Sequence, residues 1–177
     1  MMYDVFINNT KNWINEVVIQ HNLCPFARKV QIQGRIDYRV DLSEDLPKLM
    51  TNFLEYVELM NRIPTEKADT AFFIVPNGLD DFEEYLDFIA AAEDFVIQLG
   101  YEGVFQIATF HPKYQFAGTA NDDVENYTNR SPYPMLHILR EGSVEKALES
   151  YENPEEIPVR NVETMKRLGL EYFESKS

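Results

Sequence analysis

The sequence predicts an α/β protein: a small sheet with parallel strands near 36–40, 70–76 and 104–110, flanked by helices and followed by a helical C-terminal tail. Three observations predict it. Stretches with an apolar residue every three or four positions alternate with short apolar runs. The runs are separated by helical stretches of about 20 residues, long enough for crossover connections between parallel strands. From about residue 134 to 174 the pattern is helical, broken near "ENPEEIP".

The elements follow in order. Trp13, Ile14, Val17, Val18 and His21 lie at helical spacing, so 5–22 reads as an amphipathic helix. In "RIDYRV", 35–40, Ile36, Tyr38 and Val40 alternate with charges, as in a half-buried strand. Ser43 is the expected cap of a helix running to about Arg62, with Leu46, Leu49, Met50, Phe53, Leu54, Val57 and Met60 in one stripe and Pro64 beyond its end. "TAFFIVP", 70–76, is a continuous apolar run, as expected of a strand covered on both faces. Asp80 or Asp81 starts a third helix, with Phe82, Leu86, Ile89, Phe95, Val96 and Leu99 expected inward and Gly100 at its stop. "VFQIATF", 104–110, is another strand, and "PMLHILRE", with His137, reads as the start of a helix.

Composition narrows the function classes. At 177 residues, with 45% apolar and 13% aromatic side chains, the chain is expected to form one domain, 1–177. Its 30 acidic against 16 basic residues give a net charge of −14, a field that repels nucleic acid and anionic membrane surfaces. No apolar run approaches the roughly 18 residues of a membrane span. The N-terminal stretch lacks the basic start and apolar core of a signal peptide, so a cytoplasmic location is expected. One cysteine allows no internal disulfide. Composition indicates neither a cofactor nor an oligomeric state.

Chemistry is expected in two stretches. In "HNLCPFARKV", 21–30, Pro25 suits the first position of a new helical turn. Cys24 would then stand at a helix N-terminus, where the dipole lowers a thiol's pKa; its alternative is an inert buried residue, as most lone cysteines are. The second stretch runs from Phe110 to His137, starting at the carboxyl end of a strand, where ligands of such sheets bind. Its apolar rings and prolines predict an ordered segment packed beside 21–29. His111 precedes Pro112 and is held extended. "NRSPYP", 129–134, fixes Asn129, Arg130 and Ser131 between stiff residues, and Arg130 offers a planar fork to an anion. Its alternative is a turn bonded internally to Asp122, Asp123 or Glu125. Gly118 in "FAGT" lets backbone approach a ligand closely. His21 fits the apolar stripe and reads as structural; "HxxC" at 21–24 is a weak metal pattern without a second pair.

At "LCPFA", "FHPKYQFAGT", "ENYTNRSPYPMLH" and "NPEEIPVRN" the sequence resembles the family filed as domain of unknown function 1415, over about residues 10–170. The resemblance implies no activity. It implies that Cys24, His111, Asn129, Arg130 and His137 belong to the family's pattern. "CPFAR" is also similar to the active-site start of glutaredoxins and omega-class glutathione transferases, over five residues, although their cysteine follows a strand and Cys24 follows a helix.

Three functions fit these residues. One is a thiol-dependent enzyme acting on a small anionic substrate: Cys24 as nucleophile, His111 or His137 as base, Asn129 as orienter or oxyanion donor, with Arg130, Ser131, Gly118 and His137 holding the substrate. A second is a metal protein using Cys24, His111 and His137, with Asp122 or Asp123 completing the shell. The third is a non-catalytic protein that binds a ligand or partner through the long segment.

Overall fold

The computed structural model describes residues 2–174; Met1 and residues 175–177 of the expected 1–177 unit lie outside them. Strands β1 (Ile36–Val40) and β2 (Thr70–Ile74) pair in parallel, with Tyr38 opposite Phe72. β3 (Phe105–Phe110) points the same way, but β4 (Met135–Arg140) lies antiparallel between β2 and β3. The sheet is mixed, in the order β1-β2-β4-β3: the three expected strands run the same way, with β1 and β2 directly paired, and β4 is the antiparallel addition.

The strand β4 replaces the helix expected at "PMLHILRE". The spacing of Met135, Leu136, Ile138 and Leu139 fits a helix, but it also fits a central strand whose two faces are both covered. Helix α5 (Glu141–Leu148) starts directly after Arg140, so the two patterns run together.

The helices fall where the apolar spacing puts them. α1 (Met2–Trp13) continues as a π-helical turn, Ile14–Ile19, and α2 spans Ala27–Ile32. The cap of α3 (Leu46–Arg62) is Asp45, whose carboxylate accepts from the Lys48 N–H at 2.8 Å. Ser43, the expected cap, instead accepts from the Asp45 N–H. Asp81 caps α4 (Phe82–Gln98). A single 3₁₀ turn, Pro154–Glu156, opens on Asn153 at φ 53° and leads into α6 (Ile157–Leu168) and α7 (Leu170–Glu174).

Helices cover both faces of the sheet. On one, Phe53 and Tyr56 of α3 and Tyr85 and Ile89 of α4 pack on Phe73, Leu136 and Ile138. On the other, Trp13, Ile14, Met165 and Phe173 pack on Phe72, Ile74 and Met135, while Phe26 and Val30 cover Leu139. Each such side chain contributes about 1.5–3 kcal/mol through burial. The stripe of α4 is set by Tyr85, Phe88, Ile89, Ala92 and Val96. Leu86, Phe95 and Leu99, expected inward, are exposed at 38%, 41% and 43%.

This topology explains the long segment. β1, β2 and β3 end at one edge of the sheet, and β4 begins there, with Phe110 opposite Met135. Residues 111–134 are thus the connection of an antiparallel pair, spread over the carboxyl edge of the other strands.

Candidate functional site

The segment 111–134 is ordered by its own polar side chains. Buried Asn126 does most. Its Oδ1 accepts from the Phe116 N–H and the Thr119 hydroxyl, both at 2.9 Å, and its Nδ2 donates to the Ala120 carbonyl at 2.8 Å. Gly118, at φ 82°, sits in the turn closed by the Thr119 N–H to the Phe116 carbonyl. An added Cβ there would meet nothing within 4 Å, so the glycine serves backbone conformation and not close approach. Ser131 is buried and donates its hydroxyl to the Tyr133 carbonyl at 2.6 Å.

Arg130 is held by oxygens that carry no charge. Its Nε donates to the Tyr114 carbonyl at 3.1 Å, and Nη2 donates to the Asn121 carbonyl at 2.6 Å and to Asn121 Oδ1 at 3.2 Å. Its guanidinium lies 4.6 Å over the Tyr127 ring. The expected internal bonding is present, but its acceptors are Tyr114 and Asn121 and not Asp122, Asp123 or Glu125. Nη1 has no hydrogen-bond acceptor among the described residues.

His111 turns away from this segment and into the core beside α4. Its Nε2 donates to the Leu79 carbonyl at 2.8 Å, and its Nδ1 accepts from the Lys113 N–H at 2.9 Å. Phe82 and Tyr85 stand 5.2 and 4.9 Å from its ring. Burial, the largest cause, holds its pKa below the usual value. With both nitrogens engaged, the imidazole has no lone pair for a substrate or for Cys24. What it does is fasten Leu79, a non-glycine residue at φ 62°, at the turn into α4.

His137 occupies the opposite face of the sheet, stacked on Phe72 at 4.0 Å. The Thr70 hydroxyl lies 2.7 Å from the Ile138 carbonyl and 2.6 Å from His137 Nε2. Its single proton goes to the carbonyl, so Nε2–H donates to the hydroxyl oxygen and Nδ1 keeps its lone pair. His137 is half-buried beside the Phe72 and Phe110 rings, and desolvation there pushes its pKa down to about 3. His21 is tied to α7 through the Tyr172 hydroxyl at 2.8 Å.

The thiol differs from expectation. α2 begins at Ala27, two residues past Pro25, and is only six residues long. The neighbouring Phe26 and Ala27 N–H groups favour the thiolate, but burial, the larger cause, raises the pKa above its ordinary value. At neutral pH Cys24 is a protonated thiol in apolar surroundings.

Two cavities open at this edge of the sheet. The first, about 480 Å³, is bounded by Leu23 and Cys24 on one side. Phe110, Phe116, Glu125, Thr128 and Asn129 of the long connection form another wall, and Pro158, Asn161 and Val162 of α6 a third. The Asn161 amide donates to the Leu23 carbonyl at 2.9 Å, which fixes α6 to the cysteine turn. The Asn129 amide donates to the Thr109 carbonyl at 2.9 Å and its oxygen accepts from the Thr128 hydroxyl. The second cavity, about 530 Å³, lies between the α1 helix and the same connection and carries Arg130 and Ser131. Its wall includes Trp13, whose indole N–H is buried with no acceptor among the described residues. An orphan of that kind costs about 1–3 kcal/mol.

The residues singled out in the sequence are thus divided. Cys24 and Asn129 share one cavity, Arg130 and Ser131 the other, and Gly118 lines neither. His111 and His137 lie on opposite sides of the sheet. Among the described residues, no three His, Cys, Asp or Glu side chains are grouped to hold a metal ion, so the arrangement gives the metal reading no ligand set. Asn126 and Trp13 were not singled out as site residues. Asn126 sits inside a quoted motif, but nothing in the sequence separates it from the neighbouring Asn121 and Asn129.

Fold and site together define a three-layer α/β/α protein with a mixed sheet and cavities at the carboxyl edge of its strands. Among the described residues no helix is long and apolar enough to cross a membrane. Residues 5–175 match the family described as Protein of unknown function (DUF1415), and the chain belongs to that family. No curated protein and no solved structure matches it.

Proposed function

We propose that the chain binds a small, mainly apolar molecule in the cavity beside Cys24, with the thiol as a neutral contact. The observation that carries this reading is convergence. Four separate stretches bear the family resemblance, and all four supply walls of this one cavity: Leu23 and Cys24; Phe110 and Phe116; Glu125, Thr128 and Asn129; and Pro158 with Asn161. A volume near 480 Å³, apolar walls and a few polar groups suit a small organic ligand.

Nucleophilic catalysis is less well supported. The thiol's pKa is raised. No imidazole lines the cavity, and Glu125, the carboxylate on its wall, pairs with Lys166 at 3.7 Å.

Labelling of Cys24 by the apolar reagent N-phenylmaleimide tests the reading. Val162→Phe should fill the cavity and slow labelling severalfold, while circular dichroism shows the same fold. An unchanged rate in the folded variant would mean that the cavity is not the way to Cys24.

A further inference from the structure

We propose that the second cavity is a separate binding site for a small monocarboxylate with a flat apolar body. The argument starts from charge. In a chain of net charge −14, Arg130 is held by the Tyr114 and Asn121 oxygens and by the Tyr127 face, and has no carboxylate partner among the described residues. Its Nη1 has two N–H groups without an acceptor there. Those three oxygens fix the guanidinium plane, so an incoming anion meets a preorganised donor.

The second observation is independent of Arg130. Trp13 lines the same cavity, and its indole N–H is buried with no acceptor among the described residues. A carboxylate with an oxygen on Arg130 Nη1 would bring an acceptor into the cavity whose wall Trp13 forms. Tyr127, Val17 and Phe173 supply apolar surface for the rest of the ligand. The volume, about 530 Å³, admits a molecule of one or two rings. Glu16, which has an interaction of its own, also stands on the wall. Its charge disfavours a dianion, so the site assigns itself to one negative charge and not to a phosphate dianion.

Trp13 is the chain's one tryptophan, so its fluorescence reports on this cavity. Titration with benzoate should shift or quench Trp13 emission saturably. Benzamide, the neutral analogue, should bind at least about tenfold more weakly, because it lacks the charge-assisted bond. Raised salt should weaken benzoate and leave benzamide unchanged. Arg130→Lys keeps the charge but loses the fork, and should weaken benzoate while the fold, followed by circular dichroism, is retained. Equal affinity for benzoate and benzamide in the unmodified protein would overturn the proposal without any variant. So would an emission unchanged by millimolar benzoate. Because the Cys24 cavity is not probed by these measurements, either site can fail alone.

Discussion

Replacing His137 by glutamine should flatten the acid side of the protein's stability curve. The imidazole is neutral in the fold, with Nε2–H on the Thr70 hydroxyl, and burial lowers its pKa from 6.5 to about 3. An unfolded chain restores the ordinary value, so below about pH 6.5 the unfolded state binds the extra proton. Stability from this group is complete above that pH and is lost as pH falls toward 3. At about pH 4.5 the loss reaches roughly 2 units × 1.36, or up to about 2.7 kcal/mol. Glutamine can keep a donor toward Thr70 and cannot titrate. Urea unfolding from about pH 7 to pH 4.5 would measure both curves. The unmodified protein should fall more steeply than His137→Gln by up to about 2.7 kcal/mol over that interval. Curves that stay parallel within about 0.5 kcal/mol would refute the burial argument, because other acid-sensitive groups are common to both proteins.

Three further outcomes follow from the same geometry. Asn126→Ala removes three hydrogen bonds from a fully buried side chain and should cost about 2–4 kcal/mol. Amide hydrogen exchange should then rise first across 116–126. Gly78→Ala should destabilise by about 1–3 kcal/mol in urea unfolding, because the new Cβ would stand 2.9 Å from the Ser43 carbonyl oxygen, where backbone must move. The Cys24 thiolate absorbance should titrate above the ordinary thiol range, so alkylation by iodoacetamide at neutral pH should be slower than for a free thiol and should accelerate as pH rises through the raised pKa.

Much of the fold was legible because its signals are local. The Asp81 cap of α4, the stripe of α3 and the all-buried run of β2 are read directly from the side chains and their spacing. β4 was not, because a strand covered on both faces has no period of two to detect. The phase of α4 was blurred because Leu86, Phe95, Ile97 and Leu99 add apolar side chains on its outer side. The site was legible as a place before it was legible as chemistry. Length and prolines pointed to 110–137, and Cys24 and Asn129 line one cavity there. The direction of an imidazole depends on partners distant in sequence. Leu79 and Thr70 decide what His111 and His137 do, and neither carries a motif. Sequence leaves the thiol open between an activated and an inert one for a related reason: a helix start lowers a thiol's pKa through local N–H groups, whereas the burial that outweighs them comes from tertiary packing.

The claim that the Cys24 cavity seats a small apolar molecule is tested most directly by titrating the isotope-labelled protein with indole and following amide shifts. The account predicts saturable shifts at Leu23, Cys24, Thr128, Asn129 and Asn161, lost in folded Val162→Phe. Shifts confined to other surfaces, or none at millimolar indole, would contradict it.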